Sequence, residues 1–137
     1  MGAGDSKSLS VTICCNGVDA VHRTVSGAQA FSKDCGLQEE PAARLAIIVE
    51  ELVFNLVEHG GVGEQGVIEL VLTHQDGVIS IALSDTGMAF DLRDARSGEA
   101  IPERGGGAGI DLVRAWADIV DYGSQGGRNR LILKMRL

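Results

Sequence analysis

From Leu9 the chain alternates β-branched and polar positions through "LSVTICCNG", and this period of two predicts a strand from about Leu9 to Cys15. The period then changes. Val21, Val25, Ala28 and Phe31 recur at helical spacing, which predicts a first helix from about Val18 to Asp34, closed by "DCG" with Gly36 just past its end. A second helix is entered through "QEEPAAR", where Pro41 suits the first turn and Glu39 and Glu40 suit the positive helix end. After the glycine-rich "HGGVGEQG" come "VIELVLTHQDG" and "VISIALSDTG", two strand-like runs joined by Asp76-Gly77, a strong hairpin signal. "MAFDLRDARSGEAIPERGGGAG" has no periodicity and is long for a structureless connection, which marks it as a functional loop. A third helix starts within "GGAGIDLVRAWADIV", with Ile110, Val113, Ala117 and Val120 on one face. "IVDYGSQGGRNRLILKMRL" then closes as a hairpin around Gly126-Gly127, its last strand alternating Leu131, Leu133, Met135 and Leu137. The order β-α-α-β-β-loop-α-β-β predicts an α+β two-layer sandwich, with helices on one face of a mixed, mostly antiparallel sheet. Residues 1–8 read as a flexible start and residues 9–137 as one domain.

The second helix breaks the pattern of a plain core helix. Its residues from Ala42 onward are mostly apolar, yet Arg44, Glu51, Asn55 and Glu58 interrupt them. At about 100° per residue these four fall within roughly 60° of one another, so a narrow polar stripe runs along an apolar rod. Such a stripe is either the solvated face of an amphipathic helix or has something polar opposite it.

Composition narrows what that can be. A chain of 137 residues with 45% hydrophobic content builds a single core without staples. The three cysteines, with Cys14 and Cys15 adjacent, make neither an even disulfide framework nor a metal knuckle, and read as buried or idle thiols in a reducing compartment. The start "MGAGDSKSLS" has no signal-peptide core and no apolar run is long enough to span a membrane, so the expected location is the cytoplasm. A net charge of -7 argues against direct nucleic-acid binding, which rests on clustered Lys and Arg.

Three further pieces carry chemistry. Glu51 and Asn55 put a carboxylate and a carboxamide one turn apart on the stripe. Asp85-Thr86-Gly87 places a carboxylate at a strand end beside a residue that allows close approach. "GGGAGI", Gly105 to Ile110, runs into a helix whose unpaired N–H groups favour phosphate. The glycines do not follow a strand opening a βαβ unit, which excludes the dinucleotide fingerprint, and no G-K-[ST] follows them, which excludes a Walker A loop.

Taken in order, E-x-x-x-N in "EELVFN", D-x-G-x-x-F in "DTGMAF" and G-x-G-x-G-[IL] in "GGGAGI" resemble the ATP-binding superfamily of gyrase, heat-shock chaperone, histidine kinase and mismatch-repair ATPases. Within it the compact length, N-x-x-x-H-G at Asn55 to Gly60 and the ending "GGRNRLIL" look like the anti-sigma-factor serine kinases of partner-switching modules. The resemblance covers nearly the whole chain and implies a Bergerat-type ATP-binding fold. It implies that Asn55 ligates Mg²⁺, that Glu51 is the base that deprotonates the attacking hydroxyl, and that Asp85 accepts the adenine amino group while Gly87 gives the base room. Gly105, Gly107 and Gly109 would wrap the phosphates. Arg104 has two readings, a phosphate contact or a solvated loop arginine. His59 reads as a helix-end hydrogen-bonding residue, because no second His or Cys stands at ligand spacing.

The segment from Asp91 to Gly105 is expected to form a lid over bound phosphates. It is short and lacks the Thr-Thr-Lys type sequence of some relatives, and Met88-Ala89 stands where a pair of small residues is more usual. The implied function is a serine protein kinase that uses ATP, binds a sigma factor or similar regulator, and phosphorylates a serine of an antagonist domain; relatives often form homodimers. Two alternatives remain at this level: a nucleotide-gated binding module that transfers nothing, and the catalytic domain of a histidine kinase. Retention of both Glu51 and Asn55 favours the kinase, and the short lid disfavours the third reading.

Overall fold

A computed structural model describes residues 8–88 and 108–137, with backbone only at 108–110. Strand β1 (Leu9–Asn16) leads through a 3-10 turn at Gly17–Asp19 into helix α1 (Ala20–Asp34), and helix α2 (Glu39–Glu58) follows. Strands β2 (Val67–Gln75) and β3 (Val78–Asp85) come next, then helix α3 (Ala108–Trp116) and strands β4 (Asp118–Gln125) and β5 (Arg128–Arg136). The strands form one sheet in the order β1-β2-β3-β5-β4. Every pairing among them is antiparallel, so the α+β sandwich has the expected layers and its sheet carries no parallel pair.

Local chemistry accounts for the boundaries. α1 closes in a Schellman arrangement: Gly36 takes φ +67°, its N–H donates to the Lys33 carbonyl at 3.0 Å, and the Leu37 N–H donates to the Ser32 carbonyl at 3.0 Å. The Asp76-Gly77 turn has positive φ at both residues, 54° and 76°, the type I′ geometry whose twist matches its strands. Gly126-Gly127 repeats it at 62° and 77°.

Along β2 and β3 burial alternates, so Ile68, Leu70, Leu72, Ile79, Ile81 and Leu83 face the helices. Leu45, Ile48, Val49, Leu52 and Val53 of α2 meet them in one core that also takes in Phe31, Leu133 and Met135.

Two expectations about the C-terminal part change. Val113 and Ala117 are buried as predicted, but α3 ends at Trp116, and Val120 lies in β4, 48% exposed, where the ladder with β5 shifts register. From Asp118 onward the chain pairs with β5, and those ladder bonds displace another helical turn. In the last strand Leu133 and Met135 are buried, while Leu137 lies beyond β5 and is half exposed.

Burial pushes the thiols of Cys15 and Cys35 above the ordinary range, helped by Asp19 and Asp34 respectively. A raised pKa leaves less thiolate at neutral pH, and thiolate is the reactive form. Titration with an aromatic disulfide at pH 8 should therefore show one fast thiol, the exposed Cys14, and two slow ones. Three equal rates would mean the sheet and helix ends around Cys15 and Cys35 open freely.

Candidate functional site

Asp85 continues the inward row of β3, the position after Leu83 on the same face, so its carboxylate ends up only 5% exposed at the end of the core. The register puts Asn129 directly opposite, at the start of the inward row of β5. Asn129 is 3% exposed, and its Nδ2 donates to Asp85 Oδ1 at 2.9 Å and to the carbonyls of Gly87 at 2.9 Å and Met88 at 3.2 Å. Its own Oδ1 accepts from Ser124 Oγ at 2.7 Å. The Gly87 N–H donates to the same Asp85 Oδ1 at 2.7 Å. Oδ1 is thus held from two sides, which fixes the plane of the carboxylate.

This turn is fastened to the end of α2. Gly60 accepts a bond from the Met88 N–H at 2.6 Å, and the Gly60 N–H itself donates to the Asn55 carbonyl at 2.9 Å. Thr86 Oγ1 accepts from the Val67 N–H at 3.1 Å and ties the turn to the first residue of β2. A Cβ on Gly87 would run into the Gly60 carbonyl oxygen and come within 2.9 Å of Val62 Cγ2. Glycine at 87 is therefore required by the close approach of two loops.

The polar stripe of α2 divides three ways. Arg44 lies 5.4 Å from the centre of the Trp116 ring and 3.2 Å from Glu40, so its end of the stripe meets α3. Glu58 is exposed and borders a groove between α1 and α2. Glu51 and Asn55, at nearly the same angle as Arg44, remain on the side of α2 that faces α3, the helix that follows the glycine run. Both are half-buried.

Asn55 Nδ2 is buried with no hydrogen-bond partner among the described residues. A side-chain amide held out of water calls for a partner, and a half-turn of the amide exchanges its ends, so this position can offer oxygen to a cation or N–H to a phosphate. Among the described residues no group of three His, Cys, Asp or Glu is placed to hold a metal. A donor set of one amide oxygen fits Mg²⁺ shared with a nucleotide's phosphates and waters, and does not fit a dedicated metal cage.

The structure thus ties Asp85 and Gly87 through Gly60 to the end of α2 that carries Asn55, with Glu51 one turn before Asn55. Gly109 lies in the first turn of α3. Arg104, Gly105, Gly107 and the expected lid from Asp91 to Gly105 fall outside the described residues. Sequence reasoning gave Asn129 no role, although a signal was there: it occupies the inward parity of Leu131, Leu133 and Met135, where a carboxamide needs a polar neighbour. His59 donates its backbone N–H to the Asn55 carbonyl at 2.8 Å, as a helix-end residue would. No helix among the described residues is long and apolar enough to cross a membrane.

The family model described as a histidine kinase-like ATPase domain matches residues 16–135. A comparison with curated proteins finds no match.

Proposed function

We propose, from the premise that this chain belongs to the histidine kinase-like ATPase domain family, that it is a serine protein kinase of the anti-sigma-factor type. It holds a sigma factor or similar regulator and transfers the γ-phosphoryl group of ATP to a serine of a small antagonist domain. The observation that carries this reading is the pairing of Glu51 with Asn55 one turn apart on the α3-facing side of α2, with the Asn55 amide buried and unpartnered among the described residues.

Each residue has a task of its own. The Asp85 carboxylate, oriented by Gly87 and Asn129, accepts a hydrogen bond from the exocyclic amino group of adenine through Oδ2. Asn55 would hold Mg²⁺, which when bound neutralises charge on the phosphates. Glu51 accepts the proton of the serine hydroxyl as the bond from its oxygen to the γ-phosphorus forms and ADP leaves. Gly109 stands in the turn of α3 whose free N–H groups favour a phosphate.

The test combines the purified protein with labelled ATP, Mg²⁺ and candidate antagonist domains, and reads phosphoserine by mass spectrometry. Phosphoserine is expected on one of those domains. Asn55→Ala should weaken both Mg·ATP binding and transfer by at least about tenfold, because one group serves both. Tight ATP binding with no serine modified would replace the kinase by a nucleotide-gated binding module. No heat in a calorimetric titration with Mg·ATP would remove the nucleotide itself.

A further inference from the structure

On the other flank of α2 lies an open groove of about 770 Å³ between α1 and α2. Val18, Val21, Val25, Phe54 and Val57 give it an apolar lining. Val18 is 69% exposed, the most exposed of the large apolar side chains among the described residues. The acids on its margin are Asp19, Glu50 and Glu58, with Arg23 paired to Asp19 at 3.9 Å, and His22, Ser26 and Gln29 complete the polar part of the lining. Exposed apolar side chains edged by acids suit recognition of a partner that is apolar on one face and basic at its margins.

We infer that this groove is a docking site for a basic amphipathic helix of a partner protein. Two packed helices present ridges and a furrow that a third helix fills with its apolar face, and α1 offers a length of about 22 Å, or roughly four turns of such a helix. Lys and Arg on the helix flanks would then meet Asp19, Glu50 and Glu58.

The rest of this chain is poorly suited to fill it. Residues 1–7, "MGAGDSK", hold one lysine and no apolar repeat, and "AFDLRDARSGEAIPERGGG" carries four acids against three arginines. A second copy could offer Arg130 and Lys134, which flank Ile132 on the sheet face away from the core. That face is a sheet, whose shape does not enter a two-helix furrow. Joining it to a groove elsewhere on the molecule would also be a head-to-tail contact that need not close.

Docking here is independent of phosphotransfer, since neither Val18, Glu50 nor Glu58 belongs to the nucleotide site. The probe is a labelled 18-residue amphipathic peptide of Leu and Lys, compared with a Leu and Glu peptide of the same pattern, titrated by anisotropy into the full chain at physiological salt. The Leu–Lys peptide should bind saturably and the Leu–Glu peptide should not. Val18→Asp, and separately the pair Glu50→Lys with Glu58→Lys, should each weaken binding by about tenfold. The pair Asp34→Lys with Glu39→Lys makes the same charge change beyond the groove and should weaken it less than threefold or so. Far-ultraviolet circular dichroism and the urea midpoint, measured on every variant, report that the fold is intact. Equal losses in both charge-reversed pairs would reduce the effect to general acidity and overturn the proposal, as would absence of saturable binding. Concentration-dependent self-association abolished by Glu50→Lys with Glu58→Lys would assign the groove to a second copy instead.

Discussion

Glu51→Gln should leave ATP affinity within a few-fold of wild type while slowing phosphoryl transfer to serine by about 10²- to 10⁴-fold, the usual contribution of a positioned general base. The substitution keeps the shape of the side chain and removes only its capacity to take a proton. Asn55, one turn further along α2, is untouched by it, so metal and nucleotide binding persist. The contrast with Asn55→Ala is the informative part, because there affinity and transfer fall together. Rapid-quench transfer rates beside calorimetric ATP affinities separate the two. A Glu51→Gln protein that transfers at the wild-type rate would remove Glu51 from the chemistry and take the kinase reading with it.

Asn129→Leu should cost about 3 kcal/mol of stability and at least about tenfold in ATP affinity. The side chain is of similar size, so the loss is one of hydrogen bonding. Without it, Asp85 Oδ1 keeps, among the described residues, the Gly87 N–H alone, and the Gly87 and Met88 carbonyls lose their shared donor. The Ser124 hydroxyl loses its acceptor as well. Asp85 is 5% exposed, so water does not readily replace what is removed. Urea unfolding should show a lower midpoint with an unchanged slope, as expected when stability alone changes. Asp85→Asn is the control: it preserves the shape at β3 and should reduce adenine recognition by a few kcal/mol at most. A midpoint in Asn129→Leu equal to wild type would show that the polar pair is not a hub of the fold.

Much of the molecule was decided by the sequence itself, and the reason is locality. The period of two through "VIELVLTHQ" and "VISIALSD", the Asp76-Gly77 turn and Gly36 past α1 each express an interaction completed within a few residues, so they could be read without knowing the fold. The candidate site residues could be picked out for the same reason, since Glu51 and Asn55 are one helical turn apart and Asp85 to Gly87 form one turn. What only the tertiary structure decided depends on which segments meet. The end of α3 at Trp116 was set by the pairing of Asp118 onward with β5, a competition that a helical pattern through Val120 could not reveal. Asn129 became part of the site because two hairpins, each locally specified, align it with Asp85 across 44 residues. The stripe on α2 looked uniform in sequence, yet Arg44 meets Trp116 of α3 while Glu58 borders the α1 groove, since helical periodicity fixes an angle but not the neighbour standing there.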